Sequence, residues 1–186
     1  MESDAVKGWA TREGASFRSR SGATRLTVLG AALVMAGCGG EDLSLPAAGD
    51  VARYFAAQSG LQTEMSGNVA NVYVTQSATQ LRRGGSLWAK VGPYIYLFTE
   101  ETHQLLVDYP GLAGVRVVTR TPGGTEVARA MVTRHELSDV LWRRAMNIAG
   151  RARRDGTTKV TLLSDLVRWG EDHTEFAYNP QYVSTP

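Results

Sequence analysis

The chain has 186 residues, 20 Lys and Arg against 18 Asp and Glu, and a single cysteine. That length supports one hydrophobic core, and one cysteine excludes both an intramolecular disulfide and an iron–sulfur centre built on four thiolates of one chain. Residues 1–37 carry five basic and three acidic side chains, while the remaining 149 residues carry fifteen of each. The formal charge of +2 therefore belongs to the N-terminal segment, and the neutral remainder offers little long-range attraction to phosphate, which argues against a nucleic-acid partner.

Leu26 to Ala36 form an almost unbroken apolar run of eleven residues, preceded by Arg18, Arg20 and Arg25, with no acidic residue between Arg18 and Cys38. A charged start, an apolar middle and a small-residue exit are the layout of a secretory signal peptide. At about 1.5 Å per residue the run covers roughly half of a ~30 Å hydrocarbon core, too little for a spanning helix. Its exit, Met35-Ala36-Gly37-Cys38, resembles the lipobox of bacterial lipoproteins, with Met35 where Leu is commoner. The resemblance implies removal of residues 1–37, lipidation of Cys38 and a domain held on a membrane surface by its acyl chains. Gly39 in place of Asp after the cysteine implies, by the same resemblance, the periplasmic face of the outer membrane.

Residues 38–49 are rich in Gly, Ala and acidic side chains and are expected to form a tether, leaving 50–186 as a single globular domain. Asp50 suits a helix N-cap, and Val51, Tyr54 and Phe55 share one helical face before Gly60. Val69 to Gln76 reads as a strand, and the polar segment after it is broken at Gly84-Gly85. Tyr94-Ile-Tyr-Leu-Phe98 is apolar on both faces, as a central strand would be. Thr99 then caps a helix that opens on Glu100-Glu101 and ends before Pro110. Residues 115–120 and 126–133 flank Thr121-Pro-Gly-Gly-Thr125, which predicts a hairpin with Pro-Gly inside a type II turn.

Thr133 and Glu136 have capping-box spacing, and Leu137, Val140, Leu141, Ala145, Ile148, Ala149 and Ala152 form an apolar stripe, so a helix is expected up to Asp155-Gly156. Thr158 to Leu163 reads as a final strand. The order from 94 to 163 is then β-α-β-β-α-β, the ferredoxin-like arrangement of an α+β fold, with a helix and a strand added before it. Such a superfold hosts many unrelated functions, so it specifies no chemistry.

The candidate site residues fall into three groups. Glu171, Asp172, His173 and Glu175 are the densest set of metal-ligand types: in an extended segment Glu171, His173 and Glu175 would share one face and could hold a divalent ion for a small envelope hydrolase. Arg143, Arg144, Arg151, Arg153 and Arg154 gather on one helix, where a solvated face or contact with anionic headgroups or an acidic partner would use them. If Arg120 pairs with Glu126, Arg116 and Arg120 lie on one face of the sheet, partly neutralised. Trp169, Phe176, Tyr178 and Tyr182 form an aromatic C-terminal tail, a composition enriched at protein interfaces.

No serine elbow, phosphate loop or dinucleotide fingerprint is present, and no cofactor is implied. The expectation is a non-enzymatic envelope lipoprotein that binds or positions a protein partner at a membrane surface, with Arg143, Arg144, Arg151, Arg154, Trp169, Tyr178 and Tyr182 as contact residues. A carrier of a lipid or glycan, with Trp88 to Phe98 lining its pocket, is the third reading.

Overall fold

Val69–Thr75 places small or β-branched residues at nearly every second position, and in the computed structural model it is an inner strand of a five-stranded sheet. The structure describes residues 43–58 and 60–183, without the side chain of Arg83; Cys38 and the expected signal peptide lie outside these residues. The strands are β1 (Leu61–Ser66), β2 (Val69–Thr75), β3 (Gly114–Arg120), β4 (Glu126–Thr133) and β5 (Glu175–Tyr178), in spatial order β1-β2-β3-β4-β5. Only β2 and β3 are parallel; the other neighbours are antiparallel. Gly67, at a left-handed φ of 58°, turns the chain between β1 and β2 in a two-residue hairpin loop.

A parallel pair needs a long crossover, and two helices supply it, α2 (Ala78–Leu97) and α3 (Glu100–Asp108). The remaining helices are α1 (Ala48–Tyr54), α4 (Asp139–Asp155), α5 (Val160–His173) and α6 (Pro180–Val183). Helix α2 touches β3 and β4 as well as α4, α5 and α6, so it lies between the sheet and the outer helices. It bends at Gly85, whose φ of 57° and ψ of −153° leave the helical region, as the double glycine predicted.

The central position of α2 explains the largest correction to the sequence reading. Tyr94-Ile-Tyr-Leu-Phe98 is not a strand: Tyr94, Ile95 and Leu97 sit in α2 with Phe98 at its C-cap, all buried, and only Tyr96 is part-exposed. A helix buried on nearly every side loses its 3.6-residue polar gap, and a five-residue apolar run then looks like an inner strand. Thr158 to Leu163 is also corrected, because α5 begins at Val160 and buries Leu163, Leu166, Val167 and Gly170. Two of the four strands required by the ferredoxin-like order are therefore helical. What stands is an α+β fold with a mixed sheet.

Other local signals hold. Thr99 is the N-cap of α3, its Oγ1 accepting from the Thr102 N–H at 3.3 Å. The β3–β4 hairpin pairs Arg120 with Glu126. Its turn differs in type: Gly124 N–H donates to the Thr121 carbonyl at 2.9 Å, but the positive φ lies at Gly124 (84°) and not at Gly123 as a type II turn requires. Helix α4 starts later than expected, with Ser138 as N-cap and β4 extending through Thr133, so the capping-box spacing is not used. In the resulting register Trp142 is 3% exposed and joins Ala145, Ala149 and Ala152 in the core, while Val140 is 64% exposed. Asp50 is inside α1, its carboxylate accepting from the Ala47 N–H at 2.9 Å. The expected tether is shorter on the domain side: Pro46 is buried, and the Leu43 and Ser44 carbonyls occupy the space a side chain on Gly111 would need.

Candidate functional site

Alternation divides each strand between two faces. Ala70, Val72 and Val74 of β2, Val115 and Val117 of β3, and Ala128, Ala130 and Val132 of β4 are buried, and the helices pack over that side. The intervening residues are mostly polar, with Val118 and Met131 among them. Among the described residues, the hollow on their side is lined only by strand positions, Glu64, Ser66, Asn71, Tyr73, Arg116, Val118, Arg120, Glu126 and Arg129 among them.

Register aligns the centre of this open face. Glu64 pairs with Asn71, Asn71 with Arg116, Arg116 with Met131 and Met131 with Glu175, one row across all five strands with Arg116 on the middle one. Neighbouring strands are ~4.8 Å apart, so the two acidic backbone positions stand about 10 Å from Arg116. The guanidinium instead donates from Nη1 to Asn71 Oδ1 at 3.3 Å and from Nη2 to Met131 Sδ at 3.4 Å. Asn71 is itself only 4% exposed, and a thioether is a weak acceptor. Among the described residues no carboxylate pairs with Arg116.

Its neighbours are already engaged. Arg120 lies over the Tyr73 ring, 3.8 Å from the centroid. Tyr73 donates its hydroxyl to Glu64 Oε2 at 3.0 Å, and burial followed by that bond raises the hydroxyl above its ordinary pKa. Arg129 pairs with Glu126 at 2.9 Å. Glu126 is thus an ion-pair partner of Arg129, although its register partner across the hairpin is Arg120. Among the described residues the central cation, Arg116, has no carboxylate partner.

The metal reading required an extended segment, and the chain is helical there. Glu171 and His173 both lie in α5, two residues and about 200° apart, while Glu175 belongs to β5. Glu171 is apart from the other two, whereas His173 and Glu175 line one hollow together with Asp172 and Glu136. Glu171 Oε1 accepts from the Tyr178 hydroxyl at 3.0 Å, His173 lies against Trp169 with ring centroids 4.2 Å apart, and Glu175 is exposed. Among the described residues no group of three His, Cys, Asp or Glu side chains could hold a metal ion.

Arg143, Arg144, Arg151 and Arg154 are exposed on α4, off its buried stripe, and Arg144 covers the Trp169 ring at 4.7 Å. Tyr178 turns inward. The Tyr94 and Tyr178 hydroxyls are 2.7 Å apart, and because Tyr178 gives its proton to the Glu171 carboxylate, Tyr94 donates to Tyr178. Burial pushes the Tyr94 hydroxyl up to about 12 and the Tyr178 hydroxyl higher still. Tyr182 is part-buried on α6, which contacts α2. Phe176, 44% exposed at the sheet edge, is the more accessible member of this tail.

The third reading placed a pocket beside Trp88 to Phe98. A cleft of about 430 Å³ lies there, bordered by Trp88, Gly92, Ile95 and Tyr96 of α2, Gln76 after β2 and Arg153 of α4. The sequence reading missed Gln76, whose only signal was its place between a strand and a helix cap. It also left Asn71 and Met131 unremarked. No protein-family model, curated protein or solved structure matches the chain. Among the described residues no helix is long and apolar enough to cross a membrane.

Proposed function

We propose that this chain is an exported lipoprotein, anchored through Cys38 at the periplasmic face of the outer membrane, and that its domain is a non-enzymatic binding module for a protein partner. The open sheet face meets that partner, which presents an acidic side chain to Arg116. One observation carries the reading: the central guanidinium of an uncovered sheet face has an amide oxygen and a thioether as its only partners among the described residues. A guanidinium has five N–H donors in a planar fork, and a carboxylate takes two of them in parallel. The flanking pairs Arg120–Tyr73 and Arg129–Glu126 hold the rim in place and leave the centre for the incoming charge.

Photocrosslinking in native membranes tests this, with the reactive group at Met131 on the open face or at Asn147 on the exposed side of α4. The expected result is one stoichiometric protein adduct from Met131, none from Asn147, and loss of the adduct in Arg116→Glu. Adducts from Asn147 alone would move the partner surface to α4. Recovery of the chain without any adduct would remove the partner reading. Cys38→Ala should release the domain from the membrane fraction, and its retention there would overturn the anchor.

A further inference from the structure

The cleft between α2 and α4 contains polar groups that the fold brings together and leaves incompletely used. Gln76 follows β2, and its backbone N–H continues the strand by donating to the Arg120 carbonyl at 2.8 Å. Its side chain is directed by the helix: Nε2 donates to the Trp88 carbonyl at 3.1 Å, which fixes the amide orientation. Gly92 makes this possible, because a side chain there would meet the Gln76 amide and the Thr119 methyl. The residue is 5% exposed, yet its Oε1 has no hydrogen-bond partner. Gln58 Oε1, also on the cleft, is a second buried acceptor without one. Most buried polar atoms in folded proteins are paired, so two such acceptors in one cleft mark a place for donors from outside the chain.

The opposite wall supplies charge and apolar surface. At the C-terminal end of α2 the Phe98 N–H goes to Tyr94 and the Thr99 N–H to Leu97, so the Ile95 carbonyl is bypassed. Arg153 Nη2 donates to it at 2.5 Å, which holds the guanidinium at the cleft. Among the described residues no carboxylate pairs with Arg153, and its remaining N–H groups are directed by the same planar fork. Trp88 and Tyr96 add aromatic surface. The volume is within the range of ~300–1,000 Å³ usual for small-molecule sites.

We propose that this cleft binds a sugar acid of the hexuronate type, free or at the end of a glycan, as a site separate from the open sheet face. Ring hydroxyls donate to Gln76 Oε1 and Gln58 Oε1 once rotation of the two side chains opens these buried acceptors to the cleft. The carboxylate pairs with Arg153. The C–H face of the ring rests on Trp88 and Tyr96, and a ligand with either the hydroxyls or the carboxylate alone leaves part of this donor and acceptor set unmatched.

Calorimetric titration of the full chain with D-glucuronate, D-glucose and a short oligoglucuronate tests the assignment. Glucuronate should bind at least about tenfold more tightly than glucose. Arg153→Ala should reduce glucuronate to the level of glucose, and Gln76→Leu should weaken both. Should Gln76→Leu lose its fold by circular dichroism, Gln58→Leu tests the same hydroxyl contacts from a less buried position. Tighter binding of the oligomer assigns a glycan end, whereas equal or weaker binding assigns the free sugar acid. Equal affinity for glucose and glucuronate, no heat up to about 10 mM of either, or glucuronate binding unchanged by both variants would overturn the proposal.

Discussion

The two faces of this sheet are built from adjacent residues of the same strands, yet they have opposite physical roles. Val117 is fully buried beneath helices and Arg116, the preceding residue, lies part-exposed on a face lined by strand residues. The covered face derives its stability from apolar area removed from water, and its residues are exchangeable for others of similar volume. The open face is enclosed at fewer positions, Asn71 and Val118 among them. Its residues contribute directed donors and charge, and the arrangement of Arg116 between Asn71 and Met131 has no explanation in packing alone. On the reading proposed above, the open face meets the protein partner while the covered face holds the fold together.

The contrast would break if both faces responded alike to truncation. Leu166→Ala, in the fully buried part of α5, should cost about 2–5 kcal/mol in a denaturant titration, because it leaves a cavity as well as losing transfer free energy. A cost below about 1 kcal/mol would mean that the helical side collapses around the gap and is loosely packed. Arg116→Ala should cost less, about 1 kcal/mol, because it leaves the buried Asn71 acceptor without its donor, while removing the crosslink to the partner protein. Arg116→Lys keeps the charge without the fork and should restore only part of the adduct. A large loss of stability in Arg116→Ala would instead make the open face part of the folding core.

Alkaline titration sharpens the same comparison on the covered side. The Tyr94 hydroxyl is raised to about 12 from an ordinary value of 10.0, with Tyr178 shifted in the same direction. Between these values the native state keeps a proton that the unfolded chain has lost, so stability is intact below pH 10 and falls as pH rises toward 12. Tyr178→Phe removes one of the two raised groups and should flatten that slope, read as the pH dependence of the denaturation midpoint. An unchanged slope would show that the Tyr94–Tyr178–Glu171 chain of hydrogen bonds does not couple to unfolding.

Chemistry confined to a few consecutive residues is legible in the amino-acid sequence. Thr99 before two glutamates marks a helix start, Pro122-Gly123-Gly124 a hairpin, and Gly84-Gly85 a break, because each depends on backbone preferences that neighbouring residues already express. Pairing Arg120 with Glu126 then determines that Arg116 and Arg120 share a face. A hairpin signal is also present at Gly67-Asn68 before β2, and a reading that passes over it leaves β1 unassigned. The state of Tyr94 to Phe98 is not legible in this way, since an apolar run carries no period. Only the enclosure of α2 between β3, β4, α4 and α5 makes it a helix.

The amino-acid sequence by itself determined that residues 38–186 are electrically neutral, that a short apolar run ending on Cys38 precedes them, and that their stability relies on one core without a disulfide. It also determined which residues alternate within β3 and β4, because strand period is a local property. Tertiary structure alone decided the parallel pairing of β2 with β3, which aligns Asn71 beside Arg116 across 45 residues of chain. It separated Glu171 and His173 around a helix, and it brought Gln76 and Arg153 to one cleft from distant parts of the chain. These outcomes depend on contacts between distant segments, whose free energy exists only after the chain has closed the loops between them.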